Sequence, residues 1–427
     1  MSTWTNWAGN VTTTPALIAH PASTDEVVRL VTTHPRLKAV GAGHSFTPIA
    51  ATEATLLRLD RMNRVLTADT TSGLVRVQAG ISLHDLNRRL DALGLALPNL
   101  GDVDPQSVAG ATSTGTHGTG ARLFGIAKAV AGLQLVTAAG EVLEIGPDHE
   151  LFDAARVGLG ALGIVTEVTL QCVPAFLLHA REEPMALSEV LTGLDDLVDG
   201  NDHFEFYFFP HTDKALTKRN NRVPEGTEPS PLPRWRHLLD DELLSNTLYE
   251  QVQRVGTKRP ALIPRINAVS GSLLGAREYT DASHEVFISP RRVRFRESEF
   301  ALPRAAAADV IREMQRWYAS ADEHVSFPVE VRFTAADDIW LSTGHERDNV
   351  YIAVHQFHRT DPARYFAAMQ DIFTAHEGRP HWGKMHTLGA DYFRTVYPRF
   401  DDFVAVRDKL DPERKLTNDY LDQVLGS

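Results

Sequence analysis

Between Pro21 and Pro174 short apolar runs alternate with amphipathic segments. Asp25 to Val31 has helical spacing of its apolar positions, with Ser23 or Thr24 placed to cap it. Leu37 to Gly41 is a short strand running into a glycine-rich loop, and Leu56 to Leu59 and Leu74 to Val77 are further strands. Ser82, three residues before Asp85, opens a helix whose stripe is Leu83, Leu86, Leu90 and Leu93, and Gly94 ends it. Leu133 to Ile145 holds two apolar runs around Ala138-Ala139-Gly140 and predicts a hairpin; Gly163 to Val173 predicts a strand. After Pro174 the texture changes. Asn201 to Pro210 is a strand crowded with aromatics, and Arg222 to Trp235, with four prolines, is a long surface loop. Arg304 to Tyr318 and Pro362 to Phe373 are helices, the second stopped by Gly378, while Val329 to Phe333 and Tyr351 to Phe357 alternate and share a sheet. The pattern predicts a first domain at 1–175, a second at 176–400, and a segment 401–427 whose stretch Asp411 to Val424 returns to the first domain.

Composition removes several functions. At 427 residues the chain is too long for one core. Its net charge is −12, with Lys and Arg scattered, which argues against nucleic acid and anionic membranes as partners. With Cys172 alone there is no intrachain disulfide, C-x-x-C redox site or multi-Cys zinc site, and no metal site is expected. Met1 to Asn10 lacks the features of a signal peptide, and no apolar run reaches the roughly 20 residues of a membrane span, so a cytoplasmic protein is expected.

Three glycine-rich stretches bear on chemistry. In Val40 to Thr47 (VGAGHSFT), Gly41 and Gly43 let the backbone turn tightly and present N–H groups to phosphate oxygens. His44 in that loop is either a nucleophilic ring beside a phosphate cradle or a loop histidine bonded to a neighbouring carbonyl. Gly110 to Gly120 (GATSTGTHGTG) is too rich in glycine and hydroxyls for a regular helix or strand and predicts an extended loop suited to a pyrophosphate. The two loops read as jaws around one dinucleotide. Gly158, Gly160 and Gly163 match the literal G-x-G-x-x-G of nicotinamide dehydrogenases, but the β-branched run Ile164 to Leu170 follows where that fingerprint needs a helix. These glycines therefore predict close backbone packing rather than a nicotinamide site.

In V-E-V-R-F, Glu330 and Arg332 share one strand face, either as a surface ion pair or as a pair that hydrogen-bonds a polyhydroxylated ligand. Lys384 follows Gly383, which permits a bend aiming the lysine inwards; the alternative is an ordinary exposed lysine. His355, in IAVHQFH, is either a proton acceptor or a structural histidine bonded to backbone, with Gln356 taking the inward position if a bulge shifts the register.

Taken in order, NWAGN, VGAGHSF, LPNLGDVDPQS, GATSTGTHGTG, LGALGIVTEVTL, VEVRF, RPHWGK and DPERKLTNDYL run from Asn6 to the C-terminus. With these the chain resembles the aldonolactone oxidoreductases of the vanillyl-alcohol oxidase flavoprotein superfamily, which includes gulonolactone and arabinonolactone oxidases and, close by, alditol oxidases. The resemblance implies an α+β fold: a two-subdomain FAD-binding domain beneath a substrate-binding cap built on an antiparallel sheet flanked by helices. It implies FAD bound covalently through His44 and contacted by Gly41, Ala42, Gly43, Ser45, Phe46, Gly101, Asp102, Ser107, Gly110, Ala111, Thr112, Ser113, Thr114, His117, Gly118, Ile164 and Asn418. It implies catalysis by Glu330, Arg332, His355 and Lys384, with Asp102, Glu330, Arg332, Gln356 and Lys384 holding the substrate. That substrate is a sugar lactone or polyol, and the electrons pass to O2, a cytochrome or an artificial acceptor. Gly101 matches a position where glycine admits oxygen and alanine blocks it. Asp102 departs from the serine that contacts the polyol in alditol oxidases, which favours lactones.

Overall fold

A computed structural model describes residues 2–233, 249–273, 275–289 and 293–427. In the first domain Leu37–Val40 and Leu17–Ala19 flank Thr55–Arg58 in a parallel sheet. Helix Thr24–Thr33 connects the flanking strands. Ser23, not Thr24, caps it by accepting from the Glu26 N–H at 3.3 Å, and Val27 and Val31 bury against Leu37 and Leu57. A second, antiparallel sheet orders Val142–Ile145, Val130–Val136, Ile164–Gln171, Leu74–Gln78 and Val65–Asp69. The expected hairpin is its edge pair, turning through Gly140 at φ +85°. Helix Leu83–Asp91 packs Leu83, Leu86 and Leu90 inwards; Leu93, assigned to the same stripe, lies beyond the helix end and is 40% exposed.

The cap is an antiparallel sheet with the order Arg277–Ala282, Leu177–Ala186, Lys214–Arg222, His203–Phe208, Val329–Thr334, Asn349–Phe357, Phe295–Pro303 and Arg379–Pro380. Strand alternation divides its central strands cleanly. Phe204, Phe206 and Phe208, Val329, Val331 and Phe333, Val350, Ile352 and Val354, and Phe300 and Leu302 form one core with helices Leu187–Thr192, Ala307–Ser320 and Ala363–Ala375. Each such buried side chain contributes about 1.5–3 kcal/mol. A one-residue slip would turn charged residues into that core, so register is firmly set. The opposite face, carrying Glu205, Glu330 and Arg332, looks towards the first domain.

The domains meet where the Gly120 N–H donates to the Phe333 carbonyl at 2.7 Å and the Thr119 hydroxyl donates to the Phe204 carbonyl at 2.5 Å. The first domain's core also takes in Leu341, Trp382, Phe393, Tyr397 and Phe400, and Tyr420, Leu421, Val424 and Leu425 from the returning C-terminal helix Asp419–Leu425. The proline-rich loop runs without regular structure as far as Pro233, pinned where Ser230 pairs with Thr280; Arg234 and Trp235 lie outside the described residues. Among the described residues no helix is long and apolar enough to cross a membrane.

A further expectation fails. The stretch from Gly110 is not an extended loop throughout, because Val108–Ser113 is a short helix. Glycine in a helix costs about 1 kcal/mol. Here Ser107 caps the helix by accepting from the Gly110 N–H at 3.2 Å, and Val108, Ala111 and Thr112 are buried beneath it. Local capping and tertiary burial together override composition.

Candidate functional site

Two cavities meet at His44. The smaller, of about 290 Å³, is lined by Gly41, Ala42, Gly43, Ser107, Gly110, Ser113, Thr114, Gly160, Gly163 and Ile164, among others. The larger, of about 930 Å³, lies between the first domain and the charged face of the cap sheet. His44, Ser45, Pro105, Gln106 and Thr114 line both. Glycine is required at the narrow end: a Cβ on Gly41 would lie 2.2 Å from the Ser107 hydroxyl oxygen, and Gly43 has φ +74°. A slot of backbone N–H groups and hydroxyls suits a pyrophosphate. Its continuation into a wider cleft suits the flat ring of a flavin dinucleotide, so the residues present fit FAD. Gly163 serves packing as well, since a Cβ there would lie 2.6 Å from Leu135 Cγ. The strand Ile164–Gln171 follows it directly, as the reading against a nicotinamide site requires.

His44 stacks on Trp7, with ring centroids 5.6 Å apart and planes 18° apart. Burial, reinforced by the nearby Lys384 ammonium, pushes its pKa down to about 4. The imidazole is therefore neutral at pH 7 and retains a nucleophilic lone pair.

Four adjacent cap strands each send residues into the larger cleft: Tyr207, Glu330 and Arg332, His355, and Glu297 and Glu299. Arg332 is the hub of one cluster. Its Nε donates to Glu205 at 2.9 Å, its Nη2 pairs with Glu330, and Asp102 lies 3.7 Å away. The Tyr207 hydroxyl donates to Glu330 at 2.7 Å, and Lys218 lies 3.4 Å from Glu205. Burial opposes charge on both Arg332 and Glu205. The surrounding carboxylates outweigh it and hold the Arg332 pKa well above its ordinary value, while Arg332 and Lys218 hold Glu205 below its own.

A second cluster centres on Glu297 and Glu299. Lys384 pairs with Glu297 at 2.5 Å, and His355 Nε2 lies 3.6 Å from the same carboxylate. His117 Nε2 lies 3.3 Å from Glu299, its ring stacked on Tyr351 at 3.5 Å. Burial opposes ionisation of both glutamates, yet Lys384 with His355, and His117 with Lys384, hold them below the ordinary range. Lys384 is raised in turn. Its loop hangs on the same strand: His381 N–H donates to the Glu299 carbonyl and Met385 N–H to that of Glu297, each at 2.9 Å. The backbone at Gly383 runs close to its neighbours: a Cβ there would lie 3.1 Å from the Ser45 hydroxyl oxygen.

Most of the sequence-predicted residues converge here. Gly101, Asp102, His117, Phe46, Glu330, Arg332, His355 and Lys384 line the larger cleft. Five do not line either cavity. Gln356 sits on the opposite strand face from His355, since the register with Phe295–Pro303 runs without a bulge. Ala111 and Thr112 turn into the core with the short helix. Gly118 serves a close approach, where a Cβ would lie 2.1 Å from the Leu100 carbonyl oxygen. Asn418 is a clamp: it caps the last helix and donates to the carbonyls of Pro48, Ile49 and Ala51. Sequence reading missed Trp7, Glu205, Tyr207, Glu297, Glu299 and His381. The signal was present as period-two placement of acids, in HFEFYF and FRESEF, opposite apolar partners.

The chain matches the family model D-arabinono-1,4-lactone oxidase over residues 168–424 and an FAD-binding domain over residues 15–146. It is 41% identical to L-gulono-1,4-lactone dehydrogenase of Mycobacterium tuberculosis, with 99% of each chain covered. It is 35% identical to L-gulonolactone oxidase of Scyliorhinus torazame (98% and 97% covered) and 32% identical to alditol oxidase of a Streptomyces species (99% and 98%). Cholesterol oxidase from B. sterolicum superposes with a TM-score of 0.83 at 17% identity, over 99% of this chain and 96% of that one, which supports the fold. The chain belongs to the D-arabinono-1,4-lactone oxidase family of FAD-dependent oxidoreductases.

Proposed function

We propose that the chain oxidises the hydroxyl beside the carbonyl of a sugar-derived 1,4-lactone, using FAD tethered through His44. The observation that carries this reading is the position of a neutral His44 at the junction of the two cavities, under a cap face of carboxylates and cations. Bound there, FAD supplies a two-electron acceptor for the hydride leaving the substrate carbon.

The side chains divide the remaining work. Glu330 and Arg332 bind substrate hydroxyls, with Arg332 held in place by Glu205 and Glu330 on either side. His355 accepts the hydroxyl proton. Its Nδ1 donates to the Pro328 carbonyl at 3.2 Å, which orients the ring and makes Nε2 the nitrogen that exchanges the proton. The Glu297 carboxylate, 3.6 Å from Nε2, stabilises the cation so formed. Lys384 and Arg332 supply preorganised positive charge where negative charge accumulates during hydride transfer. The product is a keto-lactone that can enolise.

Gly101 in the cleft wall supports O2 as an electron acceptor, a cytochrome or artificial acceptor being the alternative. A second reading, alditol oxidation, is favoured by the 32% identity to an alditol oxidase; Asp102, placed 3.7 Å from Arg332, argues against it. Anaerobic stopped-flow reduction of the flavin with L-gulono-1,4-lactone, xylitol and sorbitol separates the two. Faster bleaching per unit concentration by the lactone is expected, and bleaching by polyols alone would overturn the proposal.

A further inference from the structure

The cleft is rich in hydrogen-bond acceptors. Glu330, Glu297, Glu299 and Asp102 all present carboxylates to it. Such a surface selects hydroxyl groups, which donate. A lactone differs from an open-chain polyol by a carbonyl oxygen, which only accepts and would be repelled by carboxylates. Recognising it needs an N–H group not already engaged by an acid.

His381 meets that requirement. It lines the cleft, is 6% exposed, and its Nδ1 accepts the Gly383 backbone N–H at 3.0 Å. An imidazole nitrogen that accepts an amide N–H carries no proton, so the ring's proton sits on Nε2. This is the reverse of His355, whose Nδ1 donates. The two histidines differ at Nδ1, which donates in His355 and accepts in His381. Burial, helped by Lys384 and His117 against the pull of Glu299, pushes the His381 pKa down to about 3. A donor that stays neutral is poorly suited to stabilising charge on a reduced flavin, a task for Lys384 and Arg332. It suits a neutral carbonyl.

We infer that His381, through Nε2–H, is the specificity-determining donor to the ring carbonyl oxygen of the lactone substrate, an assignment that rests on the lactone reading above. The test uses holoenzyme and two unreactive rings: a 2-deoxy-1,4-lactone and the corresponding 1,4-anhydroalditol, which lacks the carbonyl. Binding is followed by perturbation of the flavin spectrum. His381→Leu is expected to weaken the lactone about tenfold, the effect of one neutral hydrogen bond, and to leave the anhydroalditol unchanged. His381→Gln, which retains an amide N–H at similar reach, is expected to recover much of the loss. Equal weakening of both rings, or no weakening of either, would overturn the assignment. So would a shifted flavin midpoint potential with unchanged ring binding, because the donor would then serve the flavin carbonyl. Wild-type enzyme that binds the anhydroalditol but neither binds nor is reduced by lactones would overturn the underlying lactone reading as well.

Discussion

Replacing Arg332 by methionine should cost the protein more stability at neutral pH than in mild acid. Arg332 joins buried Glu330 and Glu205, the latter at 2.9 Å. Removing one partner from a buried ionic cluster costs about 3–5 kcal/mol, because the remaining charge loses its compensation. That is a large part of the 5–15 kcal/mol by which proteins are typically stable. In the wild type Glu205 is held below its ordinary pKa of 4.5. It therefore contributes stability above that pH, and the contribution is lost as pH falls through the lower folded value. Without Arg332, burial instead lifts Glu205 above its unfolded value, so the sign reverses and the deficit grows as pH rises. Urea unfolding at about pH 5 and about pH 7.5 should give a wider gap between variant and wild type at the higher pH. Adding Glu205→Gln should recover part of the loss at the higher pH, while flavin reduction stays slowed by about 10²–10³-fold. Equal deficits at both pH values, or no recovery in the double variant, would refute the electrostatic account of this cluster.

Four further outcomes are expected. His44→Ala should give protein whose flavin is released by acid precipitation; acid-stable yellow pellets would rule out the tether. His355→Asn should slow flavin reduction by about 10²-fold or more with little change in ligand binding, read by single-turnover stopped flow, and an unchanged rate would remove it as the proton acceptor. Gly101→Ala places a methyl group 3.2 Å from the His117 carbonyl oxygen and 3.3 Å from Thr116 Cγ2; it should slow reoxidation by O2 while sparing reduction by lactone, and equal O2 rates would discount this wall as the oxygen route. Asn418→Ala removes a helix cap and three carbonyl contacts, so it should lower stability by about 1–2 kcal/mol without changing the reaction catalysed, and an unchanged urea midpoint would contradict its role as a clamp.

The chain's own pattern determined the helix capped at Ser82, a first helix capped at Ser23 or Thr24, the alternation that puts Glu330 and Arg332 on one face, and the glycine-lined slot ending at His44. These are local properties: helix and strand periods, capping side chains and tight glycine turns are written in neighbouring residues. Tertiary structure decided which residues meet. Glu205, Glu297, Glu299 and His381 join the site because separate strands are aligned by long-range register, which no local spacing encodes. Burial decided the helix at Val108–Ser113 against its composition, and the absence of a bulge turned Gln356 away. The charge states of His44 and the two buried clusters likewise exist only after folding, because desolvation and neighbouring charges set them, and both come from residues distant in the chain.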